Sequence, residues 1–383
     1  MGPIEIIRYI AKQIIESVEY MLLRVLLRRP SGRRGGEPQR ILIVQLNSMG
    51  DVIMSSAAVE AVRDRFPEKE IYMAVLPSTK ELLDDDPDID GIFVCGNRFW
   101  RDISRFRDSV KEIKRMREKR FSLCVDLGGT FGSMALSLLS GSSSVTGPLR
   151  GFRYGLFRSD TSLFFNKAVK QREKHIIRRY NELVGSLGCI PRSEEEKIYF
   201  PGEKKAEARK FMEDAGLERE GFFIVHPGAK WPPKRWPEDN FAQLISSARS
   251  RAVLVGAGYD RDSLERIKAA SGRSDAVVAC GLPLPSVAGL IENSSFFVGN
   301  DSSLSHMCAA LGGRGVVLFG PTDPGVSRPL SEDLRVLHDR ISCWPCTLYY
   351  RKDRCERGDN LCLKGITPER VLESLREITG GVR

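Results

Sequence analysis

The sequence predicts an α/β protein of two domains, each built around a parallel sheet. Its 383 residues are too many for one ordinary hydrophobic core and suit two domains of about 150 to 200 residues each. Short apolar segments alternate with longer segments of helical periodicity, which is typical of parallel sheets that bind ligands at the carboxyl ends of their strands. Two strand-to-helix turns in the second half direct backbone N–H groups past a strand end, as a diphosphate requires.

The first half of the chain carries short apolar segments that we predict as strands, separated by segments of helical period. The first strand is residues 41–46, and the helix that follows spans residues 52–66, where Pro67 ends it. The other elements predicted here are strands at 71–76 and 121–127, and helices at 102–120, from about 131 to 139, and at 175–187.

The same alternation resumes in the second half. A terminal helix is predicted at 367–378, with Thr367 as its N-cap and Pro368 at its first position. The strands predicted in this half are residues 222–225, 252–255, 276–279, 295–298 and 315–319.

Composition sets the domain boundaries. Residues 1–39 form a basic, amphipathic extension, and residues 40–188 form the first domain. Residues 189–201 are polar and bounded by proline, so we interpret them as a linker to the second domain, residues 202–383.

Overall composition is that of a soluble globular protein, with 42% hydrophobic and 28% charged residues. The net charge of +9 suits a negatively charged partner: a nucleotide, an anionic lipid or a nucleic acid. Nucleic acid is the least favoured of these, because the positive charge is not interleaved with stacking aromatics on a recognisable module. Nine cysteines, an odd number without a secretory signal, indicate a reducing compartment.

The N-terminal extension has the pattern of an amphipathic helix over residues 4–27. Charged residues interrupt it too often for a membrane span. Two interpretations stay open: a helix that lies on an anionic membrane surface through residues 4–40, or a helix docked on the protein itself. Six arginines lie at its end and along the tether behind it: Arg24, Arg28, Arg29, Arg33, Arg34 and Arg40.

The two turns of the second half differ in charge. Residues 226–229, His-Pro-Gly-Ala, close a predicted strand and are followed by Lys230, Lys234 and Arg235. Residues 299–303, Gly-Asn-Asp-Ser-Ser, close another strand and lead into a helix. Fixed cations beside one turn and a helix N-terminus at the other predict a nucleotide site.

The turn after the first strand carries the best catalytic candidate. Gly50 allows the chain to turn tightly, and Asp51 follows where the next helix begins. Asp51 is interpreted either as a carboxylate that caps the helix or as a general base at the mouth of a cleft. The two roles are compatible, since a capping carboxylate can also face a substrate.

These segments resemble glycosyltransferase family 9, the bacterial heptosyltransferases. Residues 41–51, ILIVQLNSMGD, look like its opening motif, and residues 226–237, HPGAKWPPKRWP, look like its donor-diphosphate loop. Residues 298–306, VGNDSSLSH, followed by LFGPTDP, are similar to its second donor signature. The resemblance spans roughly residues 40 to 380, and Asp126-Leu-Gly-Gly129 and His175 with Tyr180 also fit it.

The resemblance implies a GT-B fold, in which two Rossmann-like domains face each other across a cleft. The first domain would hold an anionic glycolipid acceptor, and the second a nucleotide sugar, typically ADP-heptose. The implied reaction is an inverting transfer to a lipopolysaccharide core that needs no cofactor and no metal. It would take place at the cytoplasmic face of the bacterial inner membrane. A GT-B transferase for another nucleotide sugar and acceptor is the main alternative, and a basic nucleic-acid-binding protein is a more distant one.

The resemblance also implies roles for individual residues. Asp51 would deprotonate the acceptor hydroxyl, and Lys234 would neutralise the leaving diphosphate. Other donor-binding residues would be Gly228, Asp301, Ser302, Ser303 and His306. The residues expected at the acceptor are Ser48, Gly50, Arg98 and Arg101; the two arginines open a basic run that extends to residue 120.

One further pattern involves cysteines. Cys343, Cys346, Cys355 and Cys362 have spacings that a structural zinc site can use, although the second pair is wider than usual. Packed thiols or a redox-labile pair fit the same spacings, and any zinc here would be remote from the chemistry.

Overall fold

The computed structural model describes residues 37–96, 103–154, 157–346 and 354–378, together with residues 17, 27 and 29–32. The chain divides into two compact units, Met1–Arg192 and Ser193–Arg383. Each unit contains one six-stranded sheet in which every strand pairing is parallel. Within the described residues, no helix is long and apolar enough to cross a membrane.

Unit 1 begins with a buried strand and continues as alternating strands and helices. Its elements are β1 (Arg40–Gln45), α1 (Met49–Met54), α2 (Ser56–Arg65), β2 (Glu70–Val75), β3 (Gly91–Val94), α3 (Ile103–Lys119), β4 (Leu123–Asp126), α4 (Phe131–Leu139), β5 (Val145–Pro148), β6 (Gly151–Tyr154), β7 (Phe157–Asp160), β8 (Lys167–Val169) and α5 (Ile176–Gly185). The sheet order is β3-β2-β1-β4-β5-β8, and β6 and β7 form a separate antiparallel hairpin.

Unit 2 repeats this plan. Its elements are α6 (Ala206–Asp214), β9 (Phe222–His226), α7 (Glu238–Ser247), β10 (Arg251–Gly256), α8 (Arg261–Ser271), β11 (Val277–Cys280), α9 (Leu284–Asn293), β12 (Phe297–Asn300), α10 (Ser303–Ala310), β13 (Gly315–Phe319), α11 (Pro324–Ser327), β14 (Leu334–His338), α12 (Leu361–Lys364) and α13 (Pro368–Ile378). The sheet order is β11-β10-β9-β12-β13-β14.

Both sheets follow the Rossmann order, in which the first strand of the unit lies in the middle between the second and the fourth. The central strands β1 and β9 are buried along almost their whole length, which explains why they are continuous apolar runs rather than alternating ones. The direction of winding reverses between β1 and β4 in unit 1, and between β9 and β12 in unit 2. Open α/β sheets bind ligands at this point, outside the carboxyl ends of the strands.

The structure confirms every strand that the sequence predicted, although the bounds of one of these strands and of one predicted helix differ clearly from the prediction. The strand predicted at 295–298 lies two residues later, at Phe297–Asn300, which places Asn300 inside the sheet. The helix predicted at 52–66 is two helices, and the first begins earlier, at Met49. The break falls at Ser55, whose N–H and Oγ–H both donate to the Val52 carbonyl and compete with helical hydrogen bonding.

Most of the predicted N-terminal helix lies outside the described residues. Ser17 and Leu27, which are described, are both buried, and Leu27 belongs to the core of unit 1. The Arg29 guanidinium donates to the Asn166 carbonyl, and the Asn166 amide donates to the Pro30 carbonyl, each at 3.0 Å. Leu27, Arg29 and Pro30 therefore pack on unit 1 and are part of its structure.

Candidate functional site

The two turns that suggested a nucleotide site lie side by side in unit 2. β9 and β12 are neighbours in the sheet, with His226 opposite Gly299. The His-Pro-Gly-Ala turn after β9 and the Asp-Ser-Ser turn after β12 therefore leave the same edge at the point where the winding reverses. Residues about seventy positions apart in the chain are brought together here.

Asn300 fixes the two turns to each other. It is fully buried; its side-chain amide donates to the Pro227 carbonyl at 2.7 Å, and its side-chain oxygen accepts the Trp236 N–H at 3.0 Å. Both polar atoms are thus satisfied by backbone groups of the first turn and the loop behind it. The sequence predicted no role for Asn300; the available signal was an asparagine at the end of a strand that is otherwise apolar.

Lys234 and Asp301 meet across these turns. The Lys234 ammonium lies 2.5 Å from Asp301 Oδ2, which also accepts the Thr322 hydroxyl at 2.5 Å. The exposed fraction is 16% for the Lys234 side chain and 6% for that of Asp301. A lysine held in this half-buried position is a fixed positive charge, and a bound diphosphate would offer it a second anionic partner.

Gly228 allows the backbone to pass close to its neighbours. A Cβ at this position would come within 2.8 Å of His226 Cε1 and within 3.3 Å of Asp260 Oδ2. The His226 ring is buried; its Nδ1–H donates to the Val255 carbonyl at 2.9 Å, and burial lowers its pKa. His226 is therefore a neutral support for the turn, and the positive charge of this region comes from the side chains that follow it.

Ser302 and Ser303 form the N-terminus of α10. Ser302 is the N-cap in an extended conformation, and Ser303 is the first helical residue. The Ser302 Oγ is buried and has no hydrogen-bond partner among the described residues. Free N–H groups at a helix start, beside an unsatisfied hydroxyl and Lys234, are the groups that bind a phosphate. His306 follows one turn later and is buried against Glu196.

The site of unit 1 lies at the turn after β1. Ser48 is the N-cap of α1, and its N–H and Oγ–H donate to Asp51 Oδ2 at 3.1 and 2.6 Å. Asp51 therefore caps the helix. Both of these hydrogen bonds use Oδ2, so Oδ1 of the half-buried carboxylate is available for other contacts. Gly50 lies in the same first turn and is buried.

Two contacts tie this turn to the rest of unit 1. The Asn47 amide donates to the Gly128 carbonyl at 3.0 Å and so joins the turn after β1 to the turn after β4. The Tyr180 hydroxyl lies 3.5 Å from Asp51 Oδ1, at the outer limit of a hydrogen bond. Burial, and then the negative charge of Asp51, raise the pKa of Tyr180, so this hydroxyl keeps its proton.

Asp126, at the end of β4, is a buried carboxyl in the same region. Its Oδ1 accepts the Gly129 N–H at 3.1 Å, while its Oδ2 is buried without a hydrogen-bond partner in the described residues. Burial raises the pKa of Asp126 from 3.8 to about 7, against the lowering effect of its hydrogen bonds and of Arg150.

This shift predicts a pH dependence of stability. Between about pH 4 and pH 7 the folded protein binds a proton at Asp126 that the unfolded chain releases, so the free energy of unfolding falls as the pH rises through this range. Asp126→Asn should remove that part of the dependence. Thermal unfolding at pH 5 and pH 8 measures it: the wild type should lose more stability between the two than the variant, and equal losses would contradict the prediction.

Two expected acceptor residues, Arg98 and Arg101, lie outside the described residues. The basic run continues into α3, where the side chains of Arg107, Lys111 and Lys114 are exposed.

The four cysteines of the predicted metal pattern are free thiols, and Cys362 is buried. The Cys346 thiol donates to the Cys343 carbonyl at 3.5 Å. Across the part of the chain that the structure describes, no three or more histidine, cysteine, aspartate or glutamate side chains are arranged to hold a metal ion.

Both the sequence and the structure of this chain are similar to those of known glycosyltransferases. Residues 110–355 match the family described as glycosyltransferase family 9 (heptosyltransferase). Lipopolysaccharide heptosyltransferase 2 of Escherichia coli K12 is 27% identical over 357 residues, which cover 88% of this chain and 98% of that protein. Lipopolysaccharide heptosyltransferase 1 of Pseudomonas aeruginosa is 25% identical, with 88% and 97% covered.

Solved structures agree with the predicted fold. A family 9 glycosyltransferase from Veillonella parvula superposes with a TM-score of 0.75 at 20% identity, over 90% of this chain and 98% of that one. E. coli ADP-heptose lipopolysaccharide heptosyltransferase II gives 0.70 at 23% identity, over 89% and 98%. An E. coli heptosyltransferase solved with ADP gives 0.68 at 22% identity, over 88% and 99%. These likenesses confirm the GT-B fold class.

Proposed function

This chain belongs to glycosyltransferase family 9, and on that premise we propose that it transfers heptose from ADP-heptose to a lipopolysaccharide core. Family membership makes it a glycosyltransferase, an enzyme that moves a sugar from an activated donor to an acceptor hydroxyl. Relatives named lipopolysaccharide heptosyltransferases support the sugar and the acceptor. A related heptosyltransferase solved with ADP supports the nucleotide.

The observation that carries the proposal is the contact between Lys234 and Asp301 where the two turns of unit 2 meet. Lys234 brings a positive charge to the start of α10, beside the unsatisfied hydroxyl of Ser302. A nucleoside diphosphate needs such a combination of a fixed cation and free donors. Unit 2 is therefore the donor domain in this proposal.

The proposed reaction is a single displacement at the anomeric carbon. Asp51 takes the proton of the acceptor hydroxyl, whose oxygen forms the new glycosidic bond as the bond between sugar and diphosphate breaks. ADP leaves with both electrons of that bond and carries the developing negative charge. Lys234 and the N-terminus of α10 stabilise this charge, and they do so more in the transition state than in the bound donor.

A panel of nucleotides and nucleotide sugars tests the donor. ADP and ADP-heptose should raise the unfolding temperature more than UDP, GDP or their sugars, because only a bound ligand stabilises the folded state. Incubation with ADP-heptose and a heptose-deficient lipopolysaccharide core should then release ADP and lengthen the glycan. Preference for another nucleotide would indicate a transferase for a different sugar. Stabilisation by oligonucleotides alone would refute the transferase assignment.

Unit 1 is the acceptor domain in this proposal. Asp51 and Ser48 lie at its switch point, and the exposed basic side chains of α3 give it positive charge. Arg98 and Arg101 precede that helix in sequence and extend the same run of charge. An acceptor that carries phosphate or carboxylate groups would be attracted to this surface at long range.

We further place the protein at the cytoplasmic face of the inner membrane, held there peripherally through residues 4–40. The support is the amphipathic pattern of residues 4–27 and the arginines behind it. Each basic residue close to an anionic surface contributes about 1 kcal/mol, and salt screens the attraction.

A variant that lacks residues 1–26 tests this placement and keeps Leu27, which belongs to the core of unit 1. The full chain should sediment with anionic vesicles at low salt and dissociate as salt rises, whereas the variant should bind them weakly. Its unfolding temperature and ADP affinity should equal those of the full chain. Loss of stability in the variant, together with no vesicle binding by the full chain, would show that the helix docks on the protein.

A further inference from the structure

Glu196 and His306 form a buried polar pair in unit 2. Glu196 Oε1 lies 2.5 Å from His306 Nδ1, and the side chains are only 1% and 4% exposed. Glu196 belongs to the segment before α6, which enters unit 2, and His306 belongs to α10. The two residues are 110 positions apart in the chain.

The pair lies directly behind the proposed phosphate site. His306 is four residues after Ser302 and three after Ser303, so it shares a helix face with the first turn of α10. Helical side chains lean towards the N-terminus, which places the His306 ring over that turn. The turn itself holds the unsatisfied Ser302 hydroxyl and follows Asp301, the partner of Lys234.

A carboxylate in this position has few ways to be satisfied. The second oxygen of Glu196, Oε2, is buried and has no hydrogen-bond partner within the described residues. The hydrogen bond to His306 Nδ1 is therefore the main interaction that offsets the cost of burying the Glu196 carboxylate. A carboxylate can only accept, so His306 Nδ1 must carry the proton. A buried pair of this kind stabilises the fold little more than apolar side chains of the same size would. Its hydrogen bond does, however, fix the positions of the two side chains relative to each other.

We propose that Glu196 is a positioning residue of the donor site. By accepting the Nδ1–H of His306, it fixes the tautomer and orientation of the ring against the first turn of α10. That turn is then held ready for the donor diphosphate, without rearrangement when the donor binds. The proposal deepens the function proposed above and rests on it.

Binding measurements on Glu196→Gln test this role. Glutamine keeps the size of the side chain and removes its charge, so the charge-assisted hydrogen bond to His306 is lost. We expect ADP affinity to fall about tenfold, as for one such bond, while adenosine affinity is unchanged. Glu195→Gln is the matched control, because it makes the same substitution one residue earlier on an exposed side chain. It should bind ADP like the wild type.

Nitrogen NMR of the histidine rings supplies a second readout, because a purely structural pair would give the same His306 signal with and without ADP. The chain has four histidines, so their signals can be assigned by substitution. In the wild type, His306 should be protonated at Nδ1, with a proton resonance far downfield, and ADP should shift it. In Glu196→Gln that proton should move upfield, because the neutral glutamine oxygen is a weaker acceptor. The signals of His226, which donates to the Val255 carbonyl, should stay unchanged.

A double substitution shows whether Glu196 acts through His306. His306→Asn should weaken ADP binding, and adding Glu196→Gln should cause no further loss. Unchanged ADP affinity in Glu196→Gln would overturn the proposal, as would an equal loss for ADP and adenosine or a variant that fails to fold. If the wild type binds no ADP, the donor assignment fails instead, and the NMR signals still report whether the pair exists.

Discussion

Asp51→Asn is expected to lower turnover by about a hundredfold or more while ADP binding stays unchanged, because the acceptor hydroxyl loses its general base. Asparagine has the size of aspartate, and its side-chain oxygen can still accept from the Ser48 N–H that now donates to Asp51. The substitution therefore removes the basic group and largely preserves the cap. Turnover at saturating donor and acceptor, with ADP affinity measured separately by calorimetry, provides the test.

Ser48→Ala calibrates the capping role of Asp51. It removes the 2.6 Å hydrogen bond to Asp51 and leaves the carboxylate in place. Loss of a helix-capping contact costs about 1 kcal/mol of stability, which thermal unfolding can measure. If Asp51 only caps α1, Asp51→Asn should keep nearly normal turnover and lose no more stability than Ser48→Ala. That result would remove Asp51 from the proposed reaction and leave the base unidentified.

The sequence allowed the fold class and both strand-end turns to be predicted because their signals are local. Glycine and charged residues after an apolar segment mark a strand-to-helix turn wherever they occur. The same logic located Asp51, Lys234 and Asp301 at the edges of the sheets, as the structure does. Four strands of the two sheets, β3, β5, β8 and β14, were missed. The first three have only three or four residues, which is too few to show a period, and β14 is interrupted by Arg335.

Contacts between distant segments could not be predicted from the same signals. Glu196 lies in the polar segment 189–201, which was interpreted as a linker. Nothing near it in the sequence indicates that its side chain is buried against His306. Asn300 was visible only as part of a motif, and its role depends on the Pro227 and Trp236 backbone groups that the sheet brings next to it. The roles of these residues depend on contacts between segments that are distant in the chain. A single sequence does not show which distant segments come together.

Lys234→Ala is expected to weaken ADP binding by about tenfold to a hundredfold, the range for a hydrogen bond to a charged group, with little effect on adenosine. Lys234 lies against Asp301 in the donor-free structure, so its removal also leaves that carboxylate unpaired beside the incoming phosphates. Both effects act on the diphosphate and not on the nucleoside. Turnover should fall as well, because the leaving group loses the charge that stabilises its departure.

Lys230→Ala is the matched control for this substitution, since it removes the same charge from an exposed side chain four residues earlier. Solvent and salt screen the charge of an exposed lysine, so the ADP affinity of Lys230→Ala should remain close to that of the wild type. Calorimetry with ADP and adenosine on both variants separates the alternatives. An equal loss for the two ligands in Lys234→Ala, with a lower unfolding temperature, would mean that Lys234 supports the fold through Asp301 and Trp231. The diphosphate would then require another cation, and Arg235, the next residue along the loop, would be the first to examine.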